Sequence, residues 1–339
     1  MLTEAQMRLI ARLLLAAGCL AFSGCYYLQL AAGQLEMNRR REPIARLVAR
    51  DDTDSGLRQR LDYASHARDF AITDLGLPDN GSYRSYADLG RPYATWNLFA
   101  APEFSVKPKQ WCFPIAGCVA YRGYFKEARA TRAAQHLAKR SNDVYVGPSL
   151  AYSTLGHLRD PVLNTMLRYG DAELAALIFH ELAHQRAYVP GDSDFNEAFA
   201  TVVENEGARR WLTRLGRAND LREFLAASQR EQQLTGLMIA TRNKLATLYS
   251  TNAPSDEMRA AKTAELERLR DAMAALGVKT AGELNNARLA AVATYQRCVP
   301  ALTALLADHD GNLPEYYAAI RALAHDDAGR SALCPREKR

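Results

Sequence analysis

Ala176-Leu177-Ile178-Phe179-His180-Glu181-Leu182-Ala183-His184-Gln185 is the stretch that decides how this chain reads. Residues four apart on a helix share a face, so the imidazoles of His180 and His184 point at one spot. Two neutral imidazoles so placed can ligate one Zn²⁺. Glu181, beside the first of them, can take a proton from a metal-bound water. The chain has only 7 His in 339 residues, so its composition allows on the order of 0.02 such matches by chance, and coincidence is a poor explanation. Leu174, Leu177, Ile178, Leu182 and Ala183 form an apolar background in which unpaired imidazoles would be costly to bury. Asp171 and Glu173 suit the start of this helix, and Pro190-Gly191 ends the segment.

A catalytic zinc usually has three protein ligands and an open position for water. After the turn Val189-Pro190-Gly191-Asp192-Ser193, the run Asp194-Phe195-Asn196-Glu197-Ala198-Phe199-Ala200-Thr201 reads as a second helix. Asp194 or Asn196 lies near its cap, and Phe195, Phe199, Val202 and Val203 form its apolar side. So tight a turn lays this helix back against the first and brings Glu197 within reach of the two histidines. Glu204, two turns further along a similar face, is the alternative third ligand.

The pairing of His180-Glu181-x-x-His184 with Asn196-Glu197-Ala198-Phe199-Ala200 resembles the glutamate-zincin (gluzincin) metallopeptidases, whose second helix carries N-E-x-x-[AS]. The resemblance implies His180, His184 and Glu197 as ligands of one zinc and Glu181 as the base. The step from His184 to Glu197 is shorter than in thermolysin-like members. Thr201 stands where those enzymes place an Asp that orients a ligand histidine, so that support must come from elsewhere. A broader resemblance covers nearly the whole chain. It is carried by Ser23-Gly24-Cys25-Tyr26-Tyr27-Leu28-Gln29, Gly33-Gln34-Leu35-Glu36, Leu77-Pro78-Asp79-Asn80-Gly81-Ser82-Tyr83, Trp111-Cys112-Phe113-Pro114 with Gly117-Cys118, Ala151-Tyr152-Ser153-Thr154-Leu155-Gly156 and Asn285-Asn286-Ala287-Arg288. These segments are similar to a family of bacterial lipoproteins known as predicted aminopeptidases, which implies a zinc peptidase acting on peptide or protein substrates. The G-x-M-E-N element, which many aminopeptidase gluzincins use to hold a free amino terminus, is absent. Gluzincins also supply a Tyr or His to the oxyanion. Tyr152, His157, Tyr188, Tyr295, Tyr316 and Tyr317 are candidates here, with Tyr295 and Tyr317 preferred. Ser149 to Gly156 reads as an edge strand able to pair with an extended peptide.

At the N-terminus, Arg8 and Arg12 precede a short apolar run from Leu13 to Phe22, too short to span a bilayer comfortably. Ser23-Gly24-Cys25 follows, as in a bacterial lipobox. The pattern predicts a signal peptide over residues 1–24 and an acylated Cys25, anchored in the cell envelope facing the periplasm. Tyr26, where an Asp would stand in an inner-membrane protein, points to the outer membrane. Asn38-Arg39-Arg40-Arg41 could touch lipid phosphates. In that disulfide-permissive compartment Cys112, Cys118, Cys298 and Cys334 are disulfide candidates. Cys112 with Cys118 would staple a hairpin and Cys298 with Cys334 would tie the last helix to the tail, but four cysteines allow three connectivities.

Helical patterns cover Leu28 to Glu36, Ile44 to Ala49 and Gly56 to Leu75. Short aromatic and β-branched runs follow at Tyr93–Phe99, Cys118–Arg122 and Asp143–Val146, with a helix near Lys126 to Arg140. After Glu206 the chain reads as nearly all helix: to about Tyr249, then Ser255 to Leu276, Ala281 to Leu305 and Leu313 to Ala324. The order of small sheet, metal helix and helical C-terminal part predicts a helix-rich, zincin-like α+β fold. Its expected parts are an N-terminal helical segment over 25–80, a catalytic core over 81–215 and a helical region over 216–339. The net charge of +5 is modest, and no basic motif with interleaved aromatics argues for nucleic acid.

Overall fold

The computed structural model describes residues 26–113, 117–279, 282–296 (backbone alone at 293–296) and 298–334. The expected signal segment and Cys25 lie outside these residues, as does the tip of the expected hairpin. Helix α1 covers residues 26–39. Strand β1 (Arg41–Pro43), helix α2 (Ile44–Ala49) and helix α3 (Ser55–Thr73) follow. Asp54 caps α3 by accepting the Leu57 N–H, and the helix buries Leu61, Ala64, Ala67, Phe70 and Ala71, the spacing of one apolar stripe.

Two small sheets lie between these helices and the later helix that carries His180 and His184. In the first, β1 pairs antiparallel with β2 (Ser85–Ala87), which pairs parallel with β8 (Val162–Leu163). In the second, β3 (Thr95–Pro102) is central, with β6 (Tyr121–Tyr124) and β7 (Asn142–Ser149) antiparallel on either side. Trp96, Leu98, Tyr124, Val144 and Val146 face helix α4 (Glu127–Ala138) and the start of α1. The opposite face carries Phe99, Tyr121 and Tyr145 toward Ala287 and Ala291. Both faces are covered, which is why β3 reads as an almost unbroken apolar run. Gln29 of α1 satisfies the free edge of β6, donating to the Gly123 carbonyl and accepting the Phe125 N–H. Strands β4 (Trp111–Phe113) and β5 (Gly117–Val119) form a hairpin, with Cys112 and Cys118 at disulfide distance.

Ser149 to Gly156 does not continue the sheet. Beyond Ser149 the chain is irregular, because Asp160 captures the Thr154 N–H and hydroxyl and the backbone turns through a positive φ at Leu155.

The C-terminal half is helical: α5 (Asp171–Arg186), α6 (Ser193–Arg214), α7 (Ala218–Tyr249), α8 (Ser255–Ala275), α9 (Asn286–Gln296), α10 (Val299–Asp308), α11 (Leu313–Ala324) and α12 (Asp327–Leu333). The expected continuous helix through Tyr249 is split at Gly216, whose φ of +67° ends α6. The expected helix over Ala281 to Leu305 is two helices. Pro300 has no N–H and is tolerated only in the first turn of α10. Asn286 fastens α9, donating to the carbonyls of Pro102 and Glu103 while the Tyr249 hydroxyl donates to its Oδ1. Cys298 and Cys334 stand at disulfide distance, tying α10 to the end of α12.

One apolar core runs from Met37 of α1 through α3, α5 and α6 to Ile320 of α11, so all three expected parts contribute to it. A smaller core joins α7, α8 and α9 through Met238, Leu245, Leu266, Leu269 and Leu289. No helix among the described residues is long and apolar enough to cross a membrane. Where α6 presses on α5, a Cβ on Gly207 would fall 2.7 Å from the Phe179 ring and 2.8 Å from Leu75. Gly207→Val is therefore expected to destabilise the protein by about 1–3 kcal/mol through overpacking, read as a lowered denaturant midpoint; an unchanged midpoint would mean that α5 and α6 do not meet this closely.

Candidate metal centre

Helix α5 is apolar nearly all round, and Leu174, Ala175, Ile178, Phe179, Leu182 and Ala183 are all sealed in the core. Its polar side chains His180, Glu181 and His184 instead line a cavity. The helix ends at Ala187, and the chain reverses at Val189–Ser193, helped by Gly191 at φ +81°. Asn196 closes this reversal. It is 2% exposed, its Oδ1 accepts the Val189 N–H at 2.8 Å and its Nδ2 donates to the Val189 carbonyl at 2.8 Å. The next residue, Glu197, is thereby held against α5. Asp192 caps α6 by accepting the Phe195 N–H, and its carboxylate also takes the Arg330 guanidinium of α12 at 3.1 Å.

The three expected ligands converge. His180 Nε2 and His184 Nε2 are 3.2 Å apart, and Glu197 Oε2 lies 3.5 Å from the first and 3.7 Å from the second. Ligand bonds of 2.0–2.2 Å in tetrahedral array require donor atoms about 3.3 Å apart, so the trio has the right size for a zinc-sized ion. Its protonation also fits. His180 Nδ1 lies 2.9 Å from Glu204 Oε2; a carboxylate only accepts, so Nδ1 carries a hydrogen, and the neutral ring would offer its Nε2 lone pair to a metal. Burial works against a charged His180, but the carboxylates of Glu197 and Glu204 prevail and raise its pKa well above the ordinary imidazole value. Burial likewise opposes ionisation of Glu197, yet His184 and then His180 bring its carboxyl down to about 2. The centre is therefore built to meet positive charge. His184 Nδ1 has no hydrogen-bond partner among the described residues.

Glu204 does not join the trio. It takes the outer place behind His180 that Thr201 leaves unfilled, the arrangement that fixes the tautomer of a ligating histidine. Glu181 lines the cavity beside the ligands; burial raises its carboxyl, and the two imidazoles pull it partly back.

The cavity measures ≈ 1340 Å³ and reaches from the first turns of α1 to α7. Glu173, Glu181, Glu197, Glu204 and Glu231 line it, and no described Lys or Arg does. Burial, reinforced by Glu204, raises the Glu231 carboxyl. Of the tyrosine and histidine candidates, Tyr152, His157 and Tyr188 line this cavity. Tyr317 does not: it is 2% exposed, and its hydroxyl donates to the Leu75 carbonyl at 2.9 Å. Tyr316 is buried beside it against Phe199. Tyr295 belongs to α9, and its side chain is outside the described residues. Tyr121 of β6, which no sequence pattern singles out, also lines the cavity, with Glu197, Tyr188 and Glu181 in electrostatic reach. Burial drives its phenol pKa far up, and that of Tyr188 up as well, so both remain hydrogen-bond donors.

Residues 25–333 match a protein family described as "Putative aminopeptidase". The chain belongs to this family, whose description is that of a hydrolase. Neither curated proteins nor solved structures give a match.

Removing the carboxylate behind His180 tests the outer part of the centre. Glu204→Ala is expected to weaken metal binding by about 10- to 100-fold, measured by competition against a chromogenic chelator. An affinity equal to wild type would show that Glu204 does not support His180.

Proposed function

We propose that this member of the aminopeptidase family is a zinc-dependent peptidase of the bacterial cell envelope. The observation that carries the reading is the convergence of His180 Nε2, His184 Nε2 and Glu197 Oε2, with Glu181 beside them in a cavity large enough for a peptide. Zinc held there would act as a Lewis acid on the scissile carbonyl and lower the pKa of a bound water. Glu181 accepts the proton of the attacking water and returns it to the leaving amine. Its partial burial, which raises the carboxyl, suits this exchange better than a fully solvated carboxylate would. Glu204 keeps His180 in the tautomer that offers Nε2. Tyr121 and Tyr188, protonated and near Glu197, are the donors best placed for the developing oxyanion, in preference to Tyr317, which is committed to the Leu75 carbonyl.

The Ser23-Gly24-Cys25 lipobox supports an acylated Cys25 after removal of residues 1–24 and a periplasm-facing position, and Tyr26 after it supports the outer membrane. The paired cysteines Cys112–Cys118 and Cys298–Cys334 suit that oxidising compartment.

Glu181→Gln is expected to retain zinc while losing about 10²- to 10⁴-fold in peptide turnover, measured by metal analysis and library hydrolysis on the same preparation. Wild-type protein that stays metal-free after refolding with Zn²⁺ would overturn the reading. Tyr121→Phe is expected to lower kcat by about 10²-fold with metal content unchanged. If only Tyr188→Phe does so, Tyr188 is the oxyanion donor.

A further inference from the structure

Helix α4 carries a basic face that the hydrolytic centre does not use. At 3.6 residues per turn, Arg129, Arg132 and His136 fall on one exposed stripe, Lys139 and Arg140 follow just past the helix end, and the acidic Glu127 lies on the opposite side. Arg122 of β6 joins the stripe across a shallow groove of ≈ 530 Å³, which Tyr26, Gln29, Arg129, Arg132 and His136 also line. None of the arginines and the lysine here has a carboxylate partner among the described residues. Arg84, Arg209, Arg210 and Arg259, all elsewhere on the molecule, are each paired. The stripe is thus a concentration of positive charge with no carboxylate paired to it.

Its position in the fold says what meets it. Tyr26 is 8% exposed, packed with Trp96, Tyr124, Ala130 and Ala134, and the Arg122 guanidinium lies 3.9 Å from its ring centre. The chain therefore leaves toward residue 25 directly beside α4. The same helix α1 exposes Tyr27, Leu28 and Leu35, side chains suited to the boundary between headgroups and acyl chains.

We propose that the basic stripe of α4, with Arg122, docks on phosphate-bearing lipid headgroups of the membrane to which the chain is anchored. The proposal rests on anchoring through Cys25. The anchor directly precedes Tyr26 in the chain, which keeps the stripe at high effective concentration over the bilayer, within the short range over which anionic lipids attract basic side chains. Docking would fix the molecule's tilt and hold the α1 end of the cavity next to the membrane surface.

The test uses the full acylated chain in phosphatidylcholine vesicles with and without phosphatidylglycerol. Amide hydrogen exchange is measured over residues 126–140. Several-fold slower exchange only in the anionic vesicles is expected, with the difference lost at high salt and in Arg129→Gln/Arg132→Gln. Both positions are exposed, and unchanged thermal unfolding of the double variant checks its fold. Equal exchange in the two vesicle types, or slowing that survives the double substitution, overturns the proposal. Slowing reproduced by glycerol phosphate with neutral vesicles also overturns it, and assigns a free-phosphate site instead. Flotation with neutral vesicles reports the anchor separately: failure there rejects acylation at Cys25, while the response of α4 to anionic lipid still decides the docking.

Discussion

The antiparallel contact of α5 with α6, closed by the side chain of Asn196, is the constraint on which the site depends. Two of the three converging donors sit on one helix, so their spacing is set by helical geometry alone. The third comes from another helix, and its position depends on how the chain turns between them. Asn196 fixes that turn by pairing with both polar groups of the Val189 backbone, groups that would be costly to bury unmade. The helix start is secured again from outside, where Arg330 reaches back from α12 to Asp192 and the Cys298–Cys334 pair holds α12 in place. The C-terminal helices thus help to position a carboxylate that lies more than a hundred residues before them.

Much of the centre was legible because its information is local. The i, i+4 histidines, the short turn and the Glu one residue past Asn196 each follow from sequence spacing. The role of Glu204 was less accessible. Sequence places it on a face similar to that of Glu197, but two turns on a helix are about 11 Å of rise, so it meets the far nitrogen of His180 instead of the shared point. Tyr121 could not be found from sequence, since only the register of β6 against β3 brings it over the cavity. The preference for Tyr317 had a contrary signal within the chain: Leu313, Tyr316, Tyr317 and Ile320 recur at i, i+3, i+4 and i+7, the stripe of a helix packed into a core. Pro300 was a similar signal, for a new helix start within what read as one long helix.

Several segments singled out in the sequence prove to be structural fasteners. Asp79 receives Arg68 and Arg84, Asn80 donates to Gln185 on α5 at 2.6 Å, and Asn285 with Asn286 ties α9 to the ends of β3 and β7. The cavity itself is lined by carboxylates and, among the described residues, by no lysine or arginine, so its wall is acidic. Its far end reaches Tyr26 and Tyr27, the residues next to Cys25.

X-ray absorption at the zinc edge, on protein loaded with a single equivalent, tests the centre most directly. Ligation by His180, His184 and Glu197 requires a first shell of nitrogen and oxygen at about 2.0–2.2 Å, with imidazole outer-shell scattering from two histidines and no sulfur. A sulfur-containing shell, or one lacking imidazole scattering, would contradict it.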